Sequence, residues 1–172
     1  MGRNIEIKAR AHDFEYQQAK VQEITAHASQ YISQRDTFFA VKHGRLKLRE
    51  FADGTGELIY YQRDDASGPR QSDYSISKTS SPKTLKEIVA QVLPVVGQVI
   101  KQRWLYLVGQ TRIHFDRVEN LGEFIELEVV LEKQQRPSEG EHIAAEWMKE
   151  IEIAPEDLLG EAYIDLLNRK SF

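Results

Sequence analysis

Apolar and charged residues alternate at the start of the chain. In Arg3-Asn4-Ile5-Glu6-Ile7-Lys8-Ala9-Arg10, one phase holds Ile5, Ile7 and Ala9, and the other holds Asn4, Glu6 and Lys8. An extended strand sends successive side chains to opposite faces, so this stretch predicts a strand with one apolar and one charged face. The alternation returns further along. His43-Gly44 predicts a tight turn into Arg45-Leu46-Lys47-Leu48-Arg49-Glu50, with Leu46 and Leu48 opposite Arg45, Lys47 and Arg49. Over residues 99–108, Val99, Lys101, Arg103 and Leu105 share a phase, and over 111–116 Arg112, His114 and Asp116 do. Over 123–131, Ile125, Leu127, Val129 and Leu131 stand opposite Glu126 and Glu128.

Further strands are predicted over residues 34–41, 57–63 and 72–79, the last after a loop rich in Asp, Ser, Gly and Pro at 64–71. Asp13 is placed to cap a helix over 14–28 with Phe14, Val21, Ile24 and Ala28 as its apolar stripe. Ser81-Pro82 starts a second helix, amphipathic through Leu85, Ile88, Val89 and Val92 and stopped by Pro94. Ser138 and Glu141 have the spacing of a capping box for a third, which carries Ile143, Trp147 and Met148 on its apolar side. A last helix over 161–169 offers Ala162, Ile164, Leu166 and Leu167. Antiparallel strands with helices set between hairpins predict an α+β fold.

The 172 residues suffice for one domain, residues 1–172, and no repeat or interdomain linker divides them. A net charge of −4 gives no overall basic field for nucleic acid or an anionic membrane. With no cysteine, disulfides, zinc–thiolate sites and thiol catalysis are excluded. The longest apolar run, residues 92–100, is broken by Pro94, Gly97 and Gln98 and falls far short of the ~20 residues that span a bilayer. The N-terminus lacks an apolar signal segment, so a cytoplasmic protein without nucleic-acid or membrane partners is expected.

Any one of these strands reads equally well as a half-exposed strand whose polar face meets water. The kind of charge changes the picture. Lys47 with Arg49 and Lys101 with Arg103 are pairs of cations, and Glu126 with Glu128 is a pair of carboxylates. Closing such a sheet with its charged faces inward gives a barrel with a polar lumen. Cations crowded into a partly desolvated lumen repel one another and suit a polyanion. Carboxylates opposite them suit hard divalent cations, which take oxygen ligands and bridge to phosphate. A metal–polyphosphate site and a plain solvated sheet both remain open at this level, whereas a lipocalin-like carrier would need an apolar lumen.

Taken in order, several stretches resemble the strand motifs of the CYTH superfamily, which includes class IV adenylate cyclases, thiamine triphosphatases and inorganic triphosphatases. They are Asn4-Ile5-Glu6-Ile7-Lys8, Gly44-Arg45-Leu46-Lys47-Leu48-Arg49, Tyr61-Gln62-Arg63, Lys101-Gln102-Arg103, Arg112-Ile113-His114-Phe115-Asp116 and Leu121-Gly122-Glu123-Phe124-Ile125-Glu126-Leu127-Glu128. The resemblance extends to Ala162-Tyr163-Ile164-Asp165-Leu166-Leu167. It implies a closed eight-stranded antiparallel β-barrel, a tunnel with flanking helices, that binds triphosphate among basic side chains with Mg²⁺ or Mn²⁺.

Carried over by position, the resemblance makes Glu6, Glu126 and Glu128 metal ligands, with Asp116 supporting or joining them. Lys8, Lys47, Arg49, Arg63, Arg103 and Arg112 grip phosphate, with Lys101 a further contact in phase with Arg103. Arginine suits bidentate phosphate contacts, and lysine acts as a point charge. Lys8, Glu6, Glu126 and Glu128 form the implied catalytic set. Asn4 stands where the family signature has its first Glu. Its amide oxygen can ligate a metal without charge, which keeps open a module that binds triphosphate without turning it over. His114 reads either as a proton-transfer group or as a packed barrel histidine. Tyr60, Tyr61, Trp104 and Tyr106 read as base-stacking or as packing residues.

The His-Phe-Asp, Leu-Gly-Glu-Phe-Ile-Glu-Leu-Glu and Tyr-Ile-Asp-Leu-Leu stretches look closer to the cyclase-type branch. The resemblance therefore implies a metal-dependent enzyme that converts ATP to cyclic AMP and pyrophosphate, with an inorganic or thiamine triphosphatase as the alternative. The partner implied is ATP or another triphosphate, and a homodimer is left open.

Overall fold

In the computed structural model, which describes residues 1–26 and 28–170, eight antiparallel strands close into a barrel. In chain order the elements are β1 (Gly2–Arg10), α1 (Phe14–Thr25), β2 (Gln30–Phe39), β3 (Arg45–Phe51), β4 (Gly56–Arg63), β5 (Arg70–Thr79) and α2 (Pro82–Val92). They continue with β6 (Val95–Val108), β7 (Thr111–Val118), β8 (Gly122–Val130), α3 (Pro137–Glu150) and α4 (Tyr163–Lys170). The hydrogen-bonded order around the wall is β1-β5-β4-β3-β2-β6-β7-β8, and β8 pairs back onto β1. The α+β fold and the closed barrel with flanking helices are as expected.

The barrel is polar inside and apolar outside. Ile5, Ile7, Ala9, Ile113, Phe115, Ile125, Leu127 and Val129 point outward and pack with Phe14 and Val21 of α1 and Ala144 of α3. This outer layer is the main core. Each such aliphatic side chain contributes on the order of 1.5–3 kcal/mol on burial. Gly140 lets α3 approach closely, because a Cβ there would lie 2.6 Å from Leu131 and 2.7 Å from Ile5.

One end of the barrel is covered by the segment leading into α4. Leu158 bridges to Ala9, and the Leu159 amide donates to the Lys8 carbonyl at 2.8 Å. Arg70 and Arg63 donate to the carbonyls of Leu159 and Gly160, and Arg45 donates to Asp165 at 2.7 Å. Ala162, Tyr163 and Ile164 form a second apolar cluster with Phe38, Val99, Val118, Leu121 and Phe124. Residues of all eight strands thus hydrogen-bond to this segment or share its apolar cluster.

Several local expectations shift. Asp13 caps α1 by accepting from the Tyr16 amide at 3.1 Å, but the helix ends at Thr25 because Ala26 turns left-handed with φ 52°. Of the expected extension, His27 lies outside the described residues. The buried face of α1 is Phe14, Gln17 and Val21, with Ile24 exposed. Gln17 is buried because its Nε2 donates to the Ile151 carbonyl at 2.9 Å. α3 begins at Pro137, and the Glu139 carboxylate, rather than Glu141, accepts from the Arg136 amide at 2.9 Å. Ser81 makes no side-chain cap to α2, whose Ile88 and Val92 remain exposed. β5 starts at Arg70, so the tail of the predicted loop is strand. Among the described residues, no helix is long and apolar enough to cross a membrane.

Candidate functional site

The lumen encloses a cavity of about 430 Å³, within the usual range of small-molecule sites. The alternation puts Glu6 and Lys8 of β1, Lys47 and Arg49 of β3 and Arg63 of β4 on its wall. Lys101 and Arg103 of β6, Arg112 of β7, and Glu126 and Glu128 of β8 complete the expected lining. Asp116 is the exception. It is fully buried behind the lining, where it accepts from Lys101 at 2.7 Å, from Arg103 at 2.6 Å and from the Tyr163 hydroxyl at 3.2 Å. It braces two lumen cations and does not itself face the cavity.

The cations do not stand alone. Seven line the cavity (Lys8, Lys47, Arg49, Arg63, Lys101, Arg103 and Arg112) against five carboxylates (Glu6, Asp36, Glu57, Glu126 and Glu128), so positive charge remains in excess. Lys8 lies 3.1 Å from Glu126, and Arg103 reaches Glu126 at 2.5 Å. Glu6 lies 2.8 Å from Arg63 and 3.2 Å from Arg70. Asp36 accepts from Lys47 at 2.8 Å and from both ends of the Arg49 fork at 2.9 and 3.1 Å. Interleaved carboxylates thus relieve the cation repulsion that the sequence pattern suggests.

Asp36, Arg70 and Tyr163 are site residues that sequence reasoning missed. Asp36 is a single acid among aromatic residues, and only its phase with Gln34 on β2 marks it as inward. Arg70 fell in the predicted loop. Tyr163 belongs to no alternating stretch, yet its ring lies 4.0 Å from the Lys8 ammonium. Of the aromatic candidates, Tyr61 lines the cavity, whereas Trp104 packs on Phe14 and Tyr106 on Phe115 outside the barrel. Tyr60 donates to the His43 carbonyl.

Burial acts on every charge here, and neighbours decide the outcome. Burial lowers the Lys8 pKa, and nearby Arg63 and Lys101 act in the same direction against Glu126 and Glu6. Lys47 drops to about 8, since burial with Arg49 and Lys101 outweighs its ion pair to Asp36. Asp36 moves the other way for a carboxylate under burial: Arg49 and Lys47 hold it far below the usual range. Glu126 likewise stays well below that range because Lys101, Lys8 and Arg103 overcome its burial. Glu128 is raised, by burial and then by Glu126 and Glu6, against Arg103 and Arg112. His114 is held neutral, first by burial and then by Arg103.

The residues fit a divalent cation. Among the described residues, one ligand atom each from His114, Glu126 and Glu128 lie within 4.8 Å of one another. Asn4 Oδ1 and both ring nitrogens of His114 are buried without a hydrogen-bond partner among the described residues. Glu6 faces Glu128 directly across the β1–β8 ladder. Of the four expected ligands, Glu126 and Glu128 therefore converge, Glu6 adjoins them in the arms of Arg63 and Arg70, and Asp116 stands apart.

Away from α4, the wall changes character. On β6, Lys101 and Arg103 give way to Leu105 and Leu107; on β3, Lys47 and Arg49 give way to Phe51. On β2, Asp36 and Gln34 lead to Ile32, and on β5, Ser72 leads to Tyr74 and Ile76. With Ile59 of β4, these residues form an apolar arc over β5-β4-β3-β2-β6, broken on β4 by Glu57 opposite Arg49. Leu107 is 63% exposed and Ile76 45%.

The chain matches the family model described as the CYTH domain over residues 2–163. No curated protein matches it in sequence. Among solved structures it is similar to the PH1012 protein of Pyrococcus horikoshii OT3, with a TM-score of 0.85 and 23% identity over 95% of this chain and 98% of that one. A candidate adenylate cyclase from Vibrio parahaemolyticus gives a TM-score of 0.79 and 14% identity, over 96% of this chain and 97% of that one. A candidate adenylyl cyclase from Hippeastrum, described as having a dominant triphosphatase activity, gives 0.69 and 13%, over 99% and 96%.

Proposed function

We propose that this chain, which belongs to the CYTH family, is a metal-dependent enzyme acting on a triphosphate held in the barrel lumen. The observation that carries this reading is the cavity wall, where seven cations outnumber five carboxylates. Phosphate oxygens can take over the bonds that Asp36, Glu6 and Glu126 now make. Arg49, Arg63 and Arg103 would then offer forked donors, and Lys47 and Lys101 point charges, to the transferring phosphoryl group and the leaving oxygens. Lys8, whose charge is weakened by burial beside Glu126, is placed to hold or accept a proton near the reacting centre. Glu126 and Glu128, with Glu6 adjoining, would hold the cation. When bound, Mg²⁺ or Mn²⁺ supplies Lewis-acid stabilisation of the phosphoryl charge.

The apolar arc favours a triphosphate that carries an organic group over the inorganic ion, since an exposed apolar wall continuous with a polar cavity suits an amphiphilic ligand. The leading reaction is that of a class IV adenylate cyclase, in which the ribose 3′-hydroxyl of ATP attacks the α-phosphorus and gives cyclic AMP and pyrophosphate. The second reading is a triphosphatase, in which water attacks the terminal phosphorus and releases orthophosphate. The activity ascribed to the Hippeastrum neighbour supports keeping it. The test is product analysis with ATP, thiamine triphosphate or inorganic triphosphate and Mg²⁺ or Mn²⁺. Cyclic AMP with pyrophosphate supports the first reading and orthophosphate alone the second. Binding without turnover of any of the three overturns both.

A further inference from the structure

His114 is the buried lumen group that the phosphate grip leaves unused. It lies on the inner face of β7 between Arg112 and Asp116, directly across from Glu126 in the β7–β8 ladder. It is 4% exposed, and neither ring nitrogen has a hydrogen-bond partner among the described residues. Buried polar atoms are rarely left in this state, and a ring nitrogen commonly donates, accepts or ligates. The Nε2 atom faces Glu128 Oε2 at 3.7 Å, too far for a hydrogen bond but open to an ion between them. A neutral imidazole and two carboxylates that converge from adjacent strands form a ligand set of one nitrogen and two oxygens.

We propose that His114 is a direct ligand of the lumen metal, together with Glu126 and Glu128, and that its nitrogen makes the site prefer a transition cation of the Mn²⁺ type to Mg²⁺. The inference rests on the metal–triphosphate reading of the same lumen. Mg²⁺ is a hard ion served by carboxylate and water oxygens, whereas imidazole raises affinity for first-row transition ions. Glu126 is shared with Lys8 and Arg103, so a bound polyphosphate that draws those cations away frees its oxygens for the metal.

The test uses the purified metal-free full chain and Mn²⁺ as the probe. Calorimetric titrations with Mn²⁺ and Mg²⁺, with and without inorganic triphosphate, give the affinities, and pulsed electron paramagnetic resonance of the Mn²⁺ complex reports nitrogen bound to the metal. Tighter binding of Mn²⁺ than of Mg²⁺ and a directly coordinated ¹⁴N signal are expected. His114→Ala is expected to lose that signal and to weaken Mn²⁺ binding by at least ~10-fold, a loss that removal of an indirect metal partner already produces, and to weaken Mg²⁺ binding by less. Mn²⁺ bound to the unaltered chain without nitrogen coupling overturns the role of His114 and leaves the metal–triphosphate reading standing. That spectrum needs no variant, so misfolding of His114→Ala cannot obscure it. Failure to bind either ion, even with triphosphate, overturns both.

Discussion

Asp36 stands directly opposite Arg49 in the β2–β3 ladder, and its two carboxylate oxygens meet the Nε and Nη2 of that guanidinium at 2.9 and 3.1 Å. The same carboxylate holds Lys47 at 2.8 Å. One acid thereby fixes two proposed phosphate ligands in place. Removing one partner of a buried ion pair costs about 3–5 kcal/mol. Asp36→Asn is expected to lose close to the lower figure in urea denaturation without ligand and to recover much of it with inorganic triphosphate, which replaces the missing charge. An equal loss with and without triphosphate would assign Asp36 to the fold alone.

Lys47 sets a pH dependence. Its pKa is about 8 in the folded chain against an ordinary 10.5, so between those values the unfolded chain binds the extra proton. This residue's contribution to stability therefore rises with pH across the window. Its grip on phosphate runs the other way, because the ammonium is lost above about 8. Triphosphate affinity measured by calorimetry is expected to fall by roughly 10-fold on passing that point, the worth of one charged hydrogen bond. Lys47→Met should flatten that step. A step of full size in the variant would place the titration elsewhere.

Glu128 carries a prediction that separates fold from chemistry. Among the described residues its carboxylate makes a 3.4 Å contact to Arg112 and the 3.7 Å approach to His114, so it contributes little to the wall. Glu128→Gln should keep the melting temperature of the unaltered chain within a few degrees. Metal-dependent turnover should fall by roughly 100-fold or more, since several kcal/mol of charge stabilisation depend on the cation. An unchanged rate would remove Glu128 from the metal site.

The apolar arc predicts selectivity. Leu105→Ser and Leu107→Ser each remove apolar surface from the mouth without touching a cation. Each is expected to weaken binding of an organic triphosphate by roughly 1–2 kcal/mol while leaving inorganic triphosphate unchanged. Equal effects on both ligands would show that the arc does not meet the organic group.

Strand phase was the most legible property of the sequence. Period-two alternation placed Glu6, Lys8, Lys47, Arg49, Lys101, Arg103, Glu126 and Glu128 on one wall, because a closed barrel leaves an alternating strand only two faces. Asp36 and Arg70 were harder to find, since an acid among aromatics and an arginine beside a loop show no alternation of their own. Their roles arise from partners distant in sequence, Arg49 for Asp36 and Glu6 for Arg70. Asp116 shares the phase of His114 yet stands behind the lining, because Lys101, Arg103 and Tyr163 close over it. The phase of a strand gives the direction of a side chain, not what lies in front of it.

The segment that runs into α4 covers one end of the barrel, and the apolar residues Leu107 and Ile76 lie exposed toward the other. A triphosphate bound as proposed would enter by that mouth with its phosphate tail leading and its organic head trailing. Both products of the proposed reaction would leave by the same mouth, the piece nearer it first. A site so built would handle one short molecule per visit, and the rate at which the inner product follows the outer one would set a ceiling on turnover.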